Sequence, residues 1–228
     1  MNENSNIIAH RGVFDNESII ENTKEAFEEA IKRNIPFELD IQLTKDNQLV
    51  VFHDDTLNRL ADKKINIQES TYDEIKNIPL LYSDSRIPLL KEVLELNHDQ
   101  VTIDIEIKKT KRWKETIQLL MKELSPYLHY MIKSFDPRIV KYIKKHYSWA
   151  YTGLLIDHKE KTILEHLFSK SKLLLKYSNP DFVAISKKLL QNKKYMNKIQ
   201  NYPKFIWTIT KEDKIEKDSN YVYICNII

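Results

Sequence analysis

Glycine and cysteine are nearly missing from this chain: only Gly12, Gly153 and Cys225 occur among its 228 residues. A phosphate-cradling Walker loop or a dinucleotide-binding fingerprint needs several glycines close together, so both are excluded. A lone cysteine cannot form an internal disulfide, which is compatible with a reducing compartment. No apolar run approaches the roughly 18 residues that span a bilayer. The polar stretch Met1 to Asn6 leads into no apolar h-region, so a signal peptide is not expected. The expected location is cytoplasmic, with peripheral membrane contact left open and the oligomeric state not readable. A dominant charge sign is also lacking: 36 Lys and Arg face 33 Asp and Glu, a formal +3. Lysines such as Lys187, Lys188, Lys193 and Lys194 read as solvated helix faces, and no clustered basic surface points to a nucleic acid.

What is present suits one packed domain over residues 1–228. Hydrophobic residues make up 42% and charged residues 30%, enough apolar material for a single core and too much for a disordered chain. Strand-like segments begin near residues 6, 36, 101, 130, 151, 182, 205 and 221. The spacing predicts helices over Thr23 to Asn34, Arg112 to Leu124, Pro137 to His146, Lys161 to Leu175 and Lys188 to Ile199, with a short one near Glu212. Gln48 to Phe52 is a further extended piece. Short helices are expected from Thr71, where Glu74 has capping-box spacing, and from Leu89 to Leu96. Eight strands alternating with helices argue for a parallel sheet closed into a (β/α)₈ barrel, the TIM barrel. An open doubly wound sheet is the alternative, without the glycine-rich first turn that usually marks it.

Strands of such a barrel are buried on both faces, so ionisable residues inside them need a reason. Three strands carry such exceptions. The first ends in His10-Arg11-Gly12, at the end of the barrel where catalytic groups of this architecture gather. The second holds Glu38 and Asp40, which point the same way at i and i+2. Side-by-side carboxylates repel unless a proton or cation intervenes, and a hard divalent ion bound by oxygen answers that need. The third reads Asp104-Ile105-Glu106-Ile107-Lys108; Glu106 could complete an oxygen set, Lys108 could meet a phosphate, and the deeper Asp104 reads as structural. For the first, a capped strand end with a surface Arg is the alternative; for the second and third, a wet, half-exposed strand gives the same alternation. His53, after the apolar run to Phe52, offers a second imidazole to pair with His10, since one neutral and one protonated ring can accept and donate a proton. The other five histidines have no comparable context. Three carboxylates, one divalent cation, one phosphodiester, Arg11 and Lys108 sum to zero formal charge, as a buried site requires.

Taken in order, His10-Arg11-Gly12, Glu21-Asn22-Thr23, Glu38-Leu39-Asp40, Leu43-Thr44-Lys45-Asp46, Val50-Val51-Phe52-His53-Asp54 and Thr56-Leu57-Asn58-Arg59 resemble the glycerophosphodiester phosphodiesterase family, densely over residues 7–60. Glu106-Ile107-Lys108, Ser134-Phe135 and Trp207-Thr208 match its later landmarks. The resemblance implies a (β/α)₈ barrel with a small cap insertion after the second strand, at about residues 61–91. It implies hydrolysis of a glycerophosphodiester to glycerol 3-phosphate and an alcohol. It makes His10 and His53 the acid/base pair and Glu38, Asp40 and Glu106 the ligands of one divalent cation, Mg²⁺ or Ca²⁺, with Mn²⁺ also compatible. Arg11 and Lys108 become phosphate contacts, and Phe135 and Trp207 apolar walls for the substrate. Ile20 stands where the family usually has Pro, and Thr210 where it has Asn. Cys225-Asn226-Ile227-Ile228 stands where a Thr-Asp pair, a Pro and another helix are usual. The rival readings are a lysophospholipase D-like activity at the same site and a catalytically silent phosphodiester-binding protein.

Overall fold

The computed structural model describes residues 6–81, 83–157, 172–213 and 221–228. Eight parallel strands form the barrel: β1 (Ile7–Val13), β2 (Phe37–Leu43), β4 (Ile103–Ile107), β5 (Tyr130–Ser134), β6 (Thr152–Ile156), β7 (Phe182–Ser186), β8 (Lys204–Ile209) and β9 (Tyr221–Ile227). They neighbour one another in chain order, and β1 pairs with both β2 and β9, which closes the ring. The parallel closed barrel is therefore as expected, and the open sheet is excluded. The ninth strand, β3 (Leu49–Val51), folds back antiparallel on the end of β2. There β2 already pairs with β4 on its other side, through Ile41 and Ile107.

Helices α1 (Lys24–Lys32), α2 (Asn58–Ala61), α3 (Tyr72–Ile75), α4 (Leu90–Asn97), α5 (Trp113–Leu124), α6 (Pro137–His146), α7 (Lys172–Ser178) and α8 (Lys193–Lys198) follow in chain order. Their starts obey local rules. Thr23 caps α1, Thr71 and Glu74 form the expected capping box of α3, and Asp136 caps α6 with Pro137 at its first position. Two expectations are corrected. The helix read from Lys188 to Ile199 is a 3₁₀ turn, Lys187–Leu189, followed separately by α8. Near Glu212 the described residues form a turn, not a helix. The helix read over Lys161 to Leu175 lies largely outside the described residues.

The alternation within each strand has a different meaning from that of an exposed sheet. On β2 and β4, Phe37, Leu39, Ile41, Ile103, Ile105 and Ile107 pack with Phe27, Ala30, Ile117 and Leu120 of the surrounding helices. The intervening Glu38, Asp40, Asp104 and Glu106 are equally buried, so they face the barrel interior and not water. Every residue of β2 is buried, which removes the wet-edge reading. Between β3 and α4, Leu57, Leu60, Ile67, Ile75, Leu80 and Ile87 gather with Ile20, Val50 and Phe52 into a separate apolar cluster, the insertion after the second strand.

Candidate active site

The site is assembled by the ends of β1, β2 and β4. Arg11 sits in the left-handed region (φ +58°) and Gly12 follows at φ +83°. A Cβ on Gly12 would lie 2.7–2.8 Å from atoms of Ala26, so only glycine lets β1 turn this close to α1. The turn aims the Arg11 backbone N–H at Glu38 Oε2, 3.1 Å away. It also lets the Arg11 carbonyl accept from the Asn22 N–H at 3.0 Å. Asn22 in turn donates through Nδ2 to Asp40 Oδ2 at 3.0 Å.

Among the described residues, Glu38, Asp40 and Glu106 bring one carboxylate oxygen each to within 4.8 Å of one another, and all three are buried. The strand register explains this: Glu38 lies beside Asp104, and Asp40 beside Glu106. Lys108 Nζ donates to Glu106 Oε1 at 2.8 Å and to Asp40 Oδ1 at 3.3 Å. Burial raises the Glu38 carboxyl, with only partial relief from Lys133. Asp40 is held well below the usual carboxylate range despite its burial, because Lys108 and Arg11 sit against it. Arg11 Nε is buried without a hydrogen-bond partner, although it lies 3.4 Å from Asp40. All-oxygen donors, converging and incompletely neutralised, fit a hard divalent cation.

The two histidines differ in their supports. His10 Nδ1 lies 2.8 Å from Asn226 Oδ1, on the closing strand. Its burial, and then the neighbouring Arg11 charge, push its pKa down to about 4. His53 Nδ1 lies 2.6 Å from Asp54 Oδ1. Arg59 donates to Asp54 at 2.7 Å and to both oxygens of Glu21 at 2.7 and 2.9 Å, and Glu21 accepts from Arg11 at 2.6 Å. Gln42 donates to the carbonyls of Phe52 and Asp54, pinning the segment that carries His53 to β2. Both imidazoles lie within electrostatic reach of Asp40. Phe135 and Trp207 meet edge to face, ring centres 5.7 Å apart, with Phe135 46% exposed.

A charged residue inside a barrel strand escapes the sequence reading. Lys133 on β5 is buried, 2.5 Å from Asp104 Oδ2 and 3.2 Å from Glu38 Oε1. A fourth strand thus carries an ionisable exception, and the rule applied to the other three would have found it. Asp104 and Lys133 cancel, so the zero sum expected for cation, phosphodiester and site is preserved. Asn226, Gln42 and Arg59 were also unread as supports of the site, because their partners are distant in sequence or are backbone carbonyls.

Residues 10–225 match the model of the glycerophosphoryl diester phosphodiesterase family. The chain belongs to that family. It is 30% identical to the glycerophosphodiester phosphodiesterase of Caldanaerobacter subterraneus subsp. tengcongensis, over 92% of this chain and 88% of that protein. It is 36% identical to the glycerophosphodiester phosphodiesterase of Bacillus altitudinis, over 69% of this chain and 65% of that protein. With the second relative, the match thus spans just under two thirds of the relative's length. An Oleispira antarctica phosphodiesterase, solved in complex with the product sn-glycerol-3-phosphate, shares the fold at a TM-score of 0.75 and 20% identity, covering 96% of this chain and 92% of that one.

Proposed function

We propose that this chain hydrolyses glycerophosphodiesters to glycerol 3-phosphate and an alcohol, with one divalent cation and a histidine pair. The observation that carries the reading is the convergence of Glu38, Asp40 and Glu106 within 4.8 Å in a chain of this family. When bound there, a divalent ion supplies Lewis acidity toward the phosphate and the attacking hydroxyl. In the tautomer that donates Nδ1–H to Asn226, His10 keeps a free lone pair on Nε2 and acts as the base. It takes the proton of the glycerol hydroxyl next to the phosphate. That oxygen attacks phosphorus, and the bond to the departing alcohol breaks. His53, oriented by Asp54, gives its proton to the leaving oxygen. Water then opens the cyclic phosphate with the two roles exchanged. Arg11 and Lys108 bind the phosphate oxygens, and Phe135 with Trp207 lines the apolar side of the substrate.

We take residues 1–228 as one catalytic domain with 61–91 as a cap, and the cytoplasm as its compartment on the ground of the lone Cys225. The test is a panel of glycerophosphodiesters and lysophospholipids, assayed after chelation and with Mg²⁺, Mn²⁺ or Ca²⁺ restored in turn. Metal-restored release of glycerol 3-phosphate is the expected result. Turnover of lysophospholipids alone would move the assignment to a lysophospholipase D-like activity, and metal-independent turnover would remove the cation.

A further inference from the structure

Lys133 lies where the proposed mechanism has no use for it. Its register partner on β4 is Glu106, so its backbone stands level with Asp40 and Glu106. Its ammonium nevertheless reaches back to the preceding layer, to Asp104 and Glu38. If it served only to neutralise Asp104, contact with Glu38 would be unnecessary. Instead Glu38 is gripped on both oxygens: Oε1 faces the Lys133 ammonium at 3.2 Å, and Oε2 accepts the Arg11 N–H at 3.1 Å. These supports come from β5 and β1, on opposite sides of β2. Asp104, 2.5 Å from the ammonium, anchors it from the other side.

We propose that Lys133 is a positioning residue, a built-in cation beneath the acidic cluster that fixes the Glu38 carboxylate to receive a single divalent ion. The inference rests on the one-cation reading above. A lysine replaces the water or neutral donor that would otherwise orient Glu38, and its charge also occupies the place between Glu38 and Asp104 that a second cation would need. Partners that orient a ligand typically cost 10- to 100-fold in metal affinity when lost.

K133M alone would strand Asp104 as a buried unpaired carboxylate, so two double variants are informative. K133M/D104N removes the pair without leaving a charge behind. K133Q/D104N keeps a neutral donor and acceptor in its place. Each metal-free protein is titrated with Mn²⁺ alone by calorimetry, beside thermal unfolding. The expected result is Mn²⁺ binding weakened about 10- to 100-fold in K133M/D104N and partly recovered in K133Q/D104N, at similar metal-free midpoints. Should K133M/D104N not fold, weaker binding by K133Q/D104N than by the wild type supports the inference and equal binding overturns it. Wild-type affinity in the folded double variants overturns the role of Lys133 and leaves the one-cation reading standing. Absence of binding by the wild type of Mn²⁺, and of Mg²⁺ and Ca²⁺ titrated in the same way, overturns both.

Discussion

Inside the barrel, β2, β4 and β5 present Glu38, Asp40, Asp104, Glu106 and Lys133, whereas β6, β7 and β8 contribute Leu155, Phe182, Ala184 and Phe205. The second group is held by contact alone: Phe182 stacks on Tyr151 and tilts against Phe205, with ring centres 5.1 and 4.3 Å apart. The first group cannot be stabilised that way, because each buried charge needs a fixed partner of opposite sign. One wall is thus built for chemistry and the other for cohesion. Damage to each should register in a different measurement.

The largest effect is expected on the charged wall and in turnover. His10→Ala or His53→Ala should lower kcat by at least about 10²-fold with folding retained, the usual scale for losing a positioned acid or base. Near-normal turnover in either variant would remove that ring from its role.

Next comes Glu21→Gln, which tests how the charged wall is kept folded. Burial disfavours the Glu21 charge, but Arg59, Arg11 and Asn16 outweigh it and bring its pKa from 4.5 down to about 2. A depressed carboxylate stabilises the fold above its unfolded pKa and loses that contribution as pH falls through the folded value. Urea unfolding should therefore separate wild type from E21Q by roughly 3 kcal/mol at pH 7, a gap that closes between pH 4.5 and 2. A pH-independent gap would mean that the charge is not what stabilises.

On the apolar wall, Gly153→Ala should cost about 1–3 kcal/mol of stability while sparing kcat. A Cβ there would fall 2.2 Å from the Phe182 ring, which is fully buried and packed against Tyr151 and Phe205. Unchanged thermal unfolding would show that the wall is looser than its packing implies. The smallest effect belongs to the rim: Phe135→Ala should raise KM by a factor of a few, matching the roughly 0.5–1.5 kcal/mol of an aromatic pair, with kcat unchanged. A fall in kcat with constant KM would place Phe135 among the groups that act only in the transition state.

Much of this division was readable in the chain. Helix starts at Thr23, Thr71 and Pro137 follow from local chemistry, and the strand count follows from apolar segments at regular spacing. Glu38, Asp40 and Glu106 stood out because charges interrupt runs of Phe, Leu and Ile. What could not be read was the side to which they point, since an alternating strand looks the same whether its polar face meets water or a barrel lumen. Lys133 escaped attention because a lysine next to the end of a strand usually reaches solvent, and it is the pairing of β5 with β4 and of β4 with β2 that puts Asp104 and Glu38 within its reach. The break after Leu189 was likewise hidden, because a run of lysines suits a turn and a helix equally well.

The strand that completes the ring also supplies the group that steadies His10. β9 zips to β1 from Ile7 and Tyr223 onward, with Asn226 near its far end. A fluctuation that parts this seam alone would be enough to free the imidazole. Loss of catalysis on mild heating while the helical signal persists would be the mark of such a local opening, and would tie turnover to the integrity of this seam.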